Sequence, residues 1–186
     1  ILLDKNKKTF AWRGEQFGAI AHANTISIHL KNAIIAVEDK RFYGHFGISP
    51  RGIIGAIRIN LREGRGALTG HGGSTITQQT AKLLCLGKPY KAKDWTSESQ
   101  YEANCRQSSL WRKVKEALFA IALELEFTKD EILTLYLNRV FLGAGSRGFQ
   151  AASQRYFDKP ASDLNPAESA MLAGLLVAPS RYAPTN

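Results

Sequence analysis

Glu38 lies in a setting where a carboxylate can act on a substrate. It follows the apolar residues 34–37 and opens the stretch EDKRFYGH. Burial against apolar residues raises the pKa of a carboxylate, and this is how a glutamate becomes a useful general acid or base near neutral pH. The alternative is structural: a carboxylate at a helix end, paired with Lys40 or Arg41. His45, close by in the sequence, fits a structural hydrogen-bonding role better than a catalytic one.

A second candidate is the stretch WRKVKE, in which two cations precede Glu116. Arg112 and Lys113 fall near the start of a predicted helix, where positive charge opposes the helix dipole but helps to hold an anion. Glu116 is four residues after Arg112, on the same face, and is well off the apolar stripe of this helix. The alternative here is a solvated, salt-bridged helix face.

The third candidate is HGGSTITQQ, residues 71–79. Consecutive backbone N–H groups around the glycines could form an anion-binding nest, while Thr75 and Gln78 match a capping box that begins a helix running through Leu84. Gln79 and Lys82 follow on the first turns of that helix. The spacing is not that of a nucleotide-binding P-loop, and Ser74 lacks the Gly-x-Ser-x-Gly context of a serine hydrolase.

The elements that must position these residues are mainly helices. Ser49-Pro50 predicts a helix start, and two further capping boxes begin at Thr128 and Asn165. Residues 1–30 are predicted to be irregular or short β structure, and 86–108 a polar insertion with few core residues. Two helical stripes are predicted to be apolar faces: Leu30, Ile34 and Val37 in the first helix, and Leu110, Val114, Leu118, Ile121 and Leu125 in the helix that carries Glu116.

Composition limits the class of protein. The 186 residues carry a net charge of +9, which favours polyanions such as nucleic acid, anionic lipid head groups or a phosphorylated substrate. The longest apolar run, residues 170–179, is about half the length of a membrane-spanning helix and predicts a buried helix instead. Cys85 and Cys105 are either two free thiols or a disulfide.

Five stretches in a fixed order carry a family resemblance: EDKRFYGHFG, GGSTITQQ, RKVKE, KDEILTLYLN and RGFQAAS. This series closely resembles that of the peptidoglycan glycosyltransferases, glycosyltransferase family 51, from about Lys31 to Pro184. The resemblance implies a single, mainly helical domain with a lysozyme-related fold. It implies a globular head and a smaller membrane-facing jaw lobe, here about residues 46–69. Within the predicted jaw, isoleucines alternate with arginines, as suits an anionic membrane surface.

The resemblance also implies an activity: inverting transfer of a lipid-pyrophosphate-linked glycan onto the 4-hydroxyl of lipid II, with release of undecaprenyl pyrophosphate. Glu38 matches the proposed general base and Glu116 a second glutamate that positions the donor or contacts a metal. Residues matching substrate-binding positions are Ser74, Thr75, Gln78, Gln79, Lys82, Arg112, Lys113, Asn138 and Arg147. For Asn138 and Arg147, binding and scaffold roles stay open. A divalent cation, Mg²⁺ or Mn²⁺, could assist; no organic cofactor is expected.

The partners implied are lipid II, the lipid-linked glycan and the membrane surface, without nucleic acid. The chain would act on the outer face of the cytoplasmic membrane, with an N-terminal anchor helix absent from these residues, and a transpeptidase domain could follow Asn186. The sequence departs from the family pattern in two respects. Ser108 stands where many members have arginine, and Arg106 is the nearest; the polar insertion around residues 86–108 is also longer than is usual in the family. Two alternatives remain, a lysozyme-like peptidoglycan hydrolase and a non-enzymatic basic binding module.

Overall fold

The fold is mainly helical, as predicted. A computed structural model describes residues 2–3, 9–11, 16–67, 69–70, 72–107 and 109–184. Its α-helices, in chain order, are α1 Ile28–Glu38, α2 Pro50–Arg62, α3 Ile76–Leu83, α4 Glu98–Arg106, α5 Leu110–Glu126, α6 Lys129–Arg139, α7 Phe149–Phe157, α8 Pro166–Leu175 and α9 Pro179–Tyr182.

Four short strands complete the fold. Strands β1 (Leu2–Leu3) and β2 (Thr9–Ala11) pair antiparallel, and β3 (Gln16–Phe17) pairs in parallel with β4 (Ser146–Arg147). Short β structure near the N-terminus is thus confirmed, although α1 begins inside the segment that was predicted to lack helix. The pairing of β3 with β4 brings the N-terminal segment next to the loop before α7.

The predicted helix starts are confirmed because each depends on local hydrogen bonds. The Ser49 side chain accepts from the Gly52 amide, and Pro50 occupies the first helical position. Complete capping boxes begin α3, α6 and α8, with Thr75, Thr128 and Asn165 as the N-caps. A cap satisfies backbone N–H groups that the helix itself leaves unpaired. These starts fix where the candidate residues on α3 lie along the helix.

The core lies where α3 packs between α5 and α6, and where α1 packs against α8. Leu30 and Ile34 of α1 are buried, but Val37, predicted to be on the same apolar face, is more than half exposed. The run at residues 170–179, predicted to be a buried helix, is helical only as far as Leu175, and Val177 beyond it is exposed, so this prediction is confirmed in part. The larger buried core residues include Leu30, Ile34, Phe42, Ile76, Ile132, Leu133, Tyr136, Leu137, Leu142, Phe149 and Leu172.

The prediction for the apolar face of α5 is wrong. Leu110, Val114, Leu118 and Leu125 are all largely exposed, and the buried residues of α5 are Glu116, Ala120 and Leu123. The reason is that α5 meets α3 through the opposite face. Glu116 was expected to lie away from the core; it is 1% exposed and belongs to the packed face of the helix.

The insertion at residues 86–108 has more structure than its composition predicts. It begins with a 3-10 turn, Cys85–Gly87, and contains α4. Cys85 and Cys105 form a disulfide with Cα atoms 5.2 Å apart, which decides between the two alternatives for the cysteines. Ser108 and the Arg106 side chain lie outside the described residues, so whether Arg106 replaces the family arginine stays untested.

Helix α2 presents apolar side chains outward. Ile54, Ile59 and Leu61 are each about half exposed or more, and Asn60 is the buried residue of this helix. Among the described residues, the helices are all too short or too polar to cross a membrane. The division into a head and a jaw at residues 46–69 stays a prediction.

Candidate active site

Glu38 lies in a groove of about 320 Å³, here called the small groove, lined by residues 36–41, the N-terminal half of α2 and residues 72–75. Its carboxylate is held by α3, since Gln79 Nε2 donates to Glu38 Oε2 over 2.6 Å. Behind Gln79, the Tyr136 hydroxyl is 3.4 Å from Gln79 Oε1. Burial, and secondly the charge of Glu38, raises the pKa of Tyr136 well above its usual value of about 10. Glu38 is therefore positioned by two neutral side chains, Gln79 and, behind it, Tyr136. Among the described contacts, none pairs Glu38 with Lys40 or Arg41, the ion pairs that the structural alternative required.

Asp39, next to Glu38, has a structural position. It is buried, and its Oδ2 accepts from His45 Nε2 over 2.9 Å and from the backbone N–H of Ile76 over 3.1 Å. His45 is thus the hydrogen-bonding residue that the sequence suggested. The Asp39 carboxylate joins the end of α1 to the start of α3. Its hydrogen bond with the Ile76 N–H thereby brings Glu38 and Gln79 together.

Residues 72–75 lead into α3, and the anion-binding nest expected around the glycines stays a prediction. The Thr75 N–H donates to Gln78 Oε1 and the Ile76 N–H to Asp39, so both donors are used inside the protein. The Thr75 hydroxyl donates to Gly47 O over 2.6 Å. A Cβ at Gly73 would lie 2.7 Å from the Ile53 Cα; glycine is needed there because the loop passes directly against α2.

Glu116, on α5, is the buried carboxylate of the second part of the site. Lys113 Nζ is 2.8 Å from Glu116 Oε2, and Arg112 Nε is 3.0 Å from Oε1 as an ion pair without hydrogen-bond geometry. Arg112 also donates to Cys105 O over 2.8 Å. Two cations around one carboxylate leave a net positive charge, half-exposed on Lys113. This is the charge that an anionic ligand would meet.

Ser74 joins the two parts. Lys113 Nζ donates to Ser74 Oγ over 3.0 Å, and Ser74 lines both the small groove and a larger one of about 820 Å³. The larger cavity, here called the large groove, is also lined by Gln79, Lys113 and Glu116. A substrate in the large groove can therefore reach the edge of the groove that contains Glu38.

The remaining predicted residues divide between the groove and the scaffold. Gln78, Lys82 and Arg147 line the large groove; Arg147 is buried and ion-paired with Glu102 of the insertion. Arg112 lines another cavity, formed by α5 and the insertion, which shares Cys85 and Cys105 with the large groove. Asn138 lines none of these grooves: its side-chain amide is hydrogen-bonded to both backbone groups of Ala21.

The residues around Glu116 do not fit a divalent cation held by protein ligands. Both oxygens of Glu116 already face Lys113 or Arg112, and a second cation would be repelled there. Within the described part of the chain, His, Cys, Asp and Glu side chains form no group of three that could share a metal ion. In this arrangement Glu116 is the ion-pair partner of Lys113 and Arg112.

Several residues near the site had no sequence signal. Tyr136 lies in the KDEILTLYLN stretch without a role of its own, and Glu102 and Tyr101 belong to the insertion, for which the sequence suggested no role. The contacts that give them importance join positions far apart in the chain, such as Gln79 with Tyr136 and Glu102 with Arg147. The aromatic content of the insertion could have pointed to Tyr101.

Comparison with known proteins identifies relatives along the whole chain. A family model described as "Transglycosylase" matches residues 6–186. Penicillin-binding protein 1A of Aquifex aeolicus is 44% identical over 156 residues, 84% of this chain and 19% of the relative. Penicillin-binding protein 1A of Streptococcus oralis is 38% identical over 183 residues, which are 98% of this chain and 26% of the relative. Penicillin-binding protein 1F of Bacillus subtilis is 39% identical over 161 residues, which are 87% of this chain and 20% of the relative. The chain spans between about a fifth and a quarter of the length of these relatives.

Proposed function

Because this chain belongs to the transglycosylase family, whose model matches residues 6–186, we propose that it polymerises peptidoglycan glycan strands. The acceptor is lipid II, and the donor is the growing chain linked to undecaprenyl pyrophosphate. One observation carries the proposal: Ser74 lines both grooves, with Glu38 in one and the Lys113–Glu116 pair in the other. A base and an anion-binding group thus lie in two grooves that meet at Ser74.

The reaction begins at Glu38. One carboxylate oxygen is held by Gln79, and the other takes the proton of the acceptor 4-hydroxyl as that oxygen attacks the anomeric carbon of the donor. The bond from the anomeric carbon to the pyrophosphate breaks from the opposite face, and its electron pair leaves with the phosphate. A β-1,4 link forms with inversion, and Glu38 returns its proton to solvent.

Positive charge is needed where the pyrophosphate leaves. Lys113 is half-exposed in the large groove, and Lys82 lines the same groove. Fixed cations placed where negative charge develops lower the barrier of the step, since they need no reorganisation during the reaction. Glu116 and Ser74 hold the Lys113 ammonium in place from two sides.

The outward face of α2 supports a membrane surface as the second partner. Ile54 and Leu61 are about 60% exposed, and Arg51, Arg58 and Arg62 lie on the same short helix. A basic amphipathic helix of this kind can lie at an anionic lipid surface. This would hold the grooves close to a substrate whose lipid tail stays in the bilayer, on the outer face of the cytoplasmic membrane.

The test is the product made from lipid II. The purified chain is incubated with labelled lipid II in detergent, and undecaprenyl pyrophosphate and reducing sugar ends are measured separately. The proposal expects one lipid pyrophosphate per link formed and glycan polymer as product. Reducing ends released from finished glycan, without lipid pyrophosphate, would indicate the hydrolase instead and overturn the proposal.

A further inference from the structure

The insertion between the two cysteines carries three aromatic residues that pack together beside the large groove. The ring centroids of Tyr90 and Tyr101 are 5.5 Å apart, and those of Tyr101 and Trp95 are 5.7 Å apart. Tyr90 and Tyr101 line the large groove; Trp95 contacts the ring of Tyr101 but does not line the groove. Tyr90 is 39% exposed, so part of its ring is open to a ligand.

This aromatic cluster is held at its base and along its side. The Cys85–Cys105 disulfide closes the insertion, and both cysteines line the large groove. The Tyr101 hydroxyl donates to Lys88 O, which fixes the backbone just before Tyr90. Glu102, on the next position of α4, is ion-paired with buried Arg147 from the groove wall. The disulfide, the hydrogen bond and the ion pair therefore fix the positions of the rings in the insertion, and a fixed surface loses less entropy when it binds a ligand.

The cluster lies away from the reacting centre. Tyr90 lines the large groove but not the small groove that contains Glu38. On the function proposed above, the large groove takes the donor, so a ligand at Tyr90 is a part of the donor that does not react. Sugar rings offer flat faces of C–H groups with hydroxyls at the edge, and these suit a tyrosine whose apolar ring ends in a polar group.

We propose that Tyr90, supported by Tyr101 and Trp95, is a saccharide subsite that binds a sugar unit of the growing glycan strand. Lysines 88, 91 and 93 surround it in the sequence and favour a glycan that carries carboxylates. The inference rests on the proposed function for the identity of the glycan. It adds a site that holds the strand between successive additions, since a chain anchored there stays in the groove after each transfer.

The binding test does not depend on catalysis. Saturation-transfer NMR is recorded for the wild-type chain, Tyr90→Ala and Tyr90→Phe with a lipid-free tetrasaccharide of two N-acetylglucosamine–N-acetylmuramic acid units. Binding is expected to be about fivefold weaker or more in Tyr90→Ala and near normal in Tyr90→Phe, which keeps the ring. Tyr182→Ala, an exposed aromatic outside the large groove, is the matched control and should bind normally.

The same variants are then compared in glycan synthesis. Tyr90→Ala should give glycan products that are shortened at least twofold in mean length, whereas Tyr182→Ala should give products of wild-type length. Equal tetrasaccharide binding by wild type and Tyr90→Ala, or no binding by either, overturns the subsite. So does weakened binding of undecaprenyl pyrophosphate in Tyr90→Ala, which would make the cluster a lipid contact. A wild-type chain that binds the tetrasaccharide but releases no lipid pyrophosphate would refute the proposed function alone.

Discussion

Gln79 Nε2 donates a hydrogen bond of 2.6 Å to Glu38 Oε2, joining side chains that are 41 positions apart in the chain. The contact exists because Asp39 accepts the Ile76 N–H and so fixes the start of α3 against the end of α1. One oxygen of Glu38 is thereby occupied and the other is left for a substrate. The orientation of the proposed base thus depends on a neutral amide.

Replacing that amide should slow catalysis without unfolding the protein. Gln79→Met keeps the length of the side chain but cannot donate to Glu38. A hydrogen bond to a charged group that positions a base is worth enough to expect kcat at least about tenfold lower. Steady-state kinetics with lipid II check this, with the melting temperature as a control. An unchanged kcat in a folded Gln79→Met variant would show that the contact does not position Glu38.

Lys113 is expected to bind the pyrophosphate of the donor. Lys113→Ala removes the half-exposed ammonium between Ser74 and Glu116, and loss of one charge-assisted contact to the leaving pyrophosphate predicts a kcat/KM about tenfold lower. Lys115→Ala is the matched control, because Lys115 lies on the same helix but stands over the ring of Trp111, outside the large groove. Equal effects of the two variants would indicate that only the overall positive charge matters.

Tyr136 predicts a dependence of stability on alkaline pH. Its pKa in the folded chain lies well above 10 because it is buried beside Glu38, whereas in the unfolded chain it ionises near pH 10. Above that pH the unfolded state has lost a proton that the folded state keeps. The contribution of protonated Tyr136 to the free energy of unfolding is therefore fully present below about pH 10. It is lost as the pH rises further, by up to about 1.4 kcal/mol per pH unit.

Tyr136→Phe should remove this part of the decline. Chemical denaturation at pH 9, 10 and 11 measures the free energy of unfolding of both proteins. Between pH 10 and 11 the free energy of unfolding should decline less steeply in Tyr136→Phe than in wild type. At pH 9 the hydroxyl is protonated in both states, so the difference between the two proteins there reflects only the loss of the hydroxyl group. Parallel curves over the whole range would contradict the assignment.

Helix positions could be predicted from the sequence because their signals are local. Ser49-Pro50 and the three capping boxes satisfy backbone groups within four residues of the N-cap. The face that a helix buries is decided elsewhere. Leu110, Val114 and Leu118 predict an apolar face for α5, but periodicity does not say which neighbour covers it, and α3 packs on the face of Glu116 instead.

The site was predictable in its residues but not in its connections. The motifs identified Glu38 and Glu116 and the cations near them, since each motif is contiguous. The contact of Lys113 with Ser74 spans 39 positions, and the contact of Arg147 with Glu102 spans 45. Such pairs are set by how helices pack, which a single sequence does not record. The same limit explains why Asn138 could not be assigned to the scaffold in advance.

The most direct test of the account is Glu38→Gln in the lipid II assay. The variant keeps the size of the side chain but cannot take a proton from the acceptor hydroxyl. It should retain the wild-type melting temperature to within a few degrees and bind undecaprenyl pyrophosphate normally. Release of undecaprenyl pyrophosphate from lipid II should fall by at least about a hundredfold. A folded Glu38→Gln variant that releases it within about twofold of the wild-type rate would contradict the central claim.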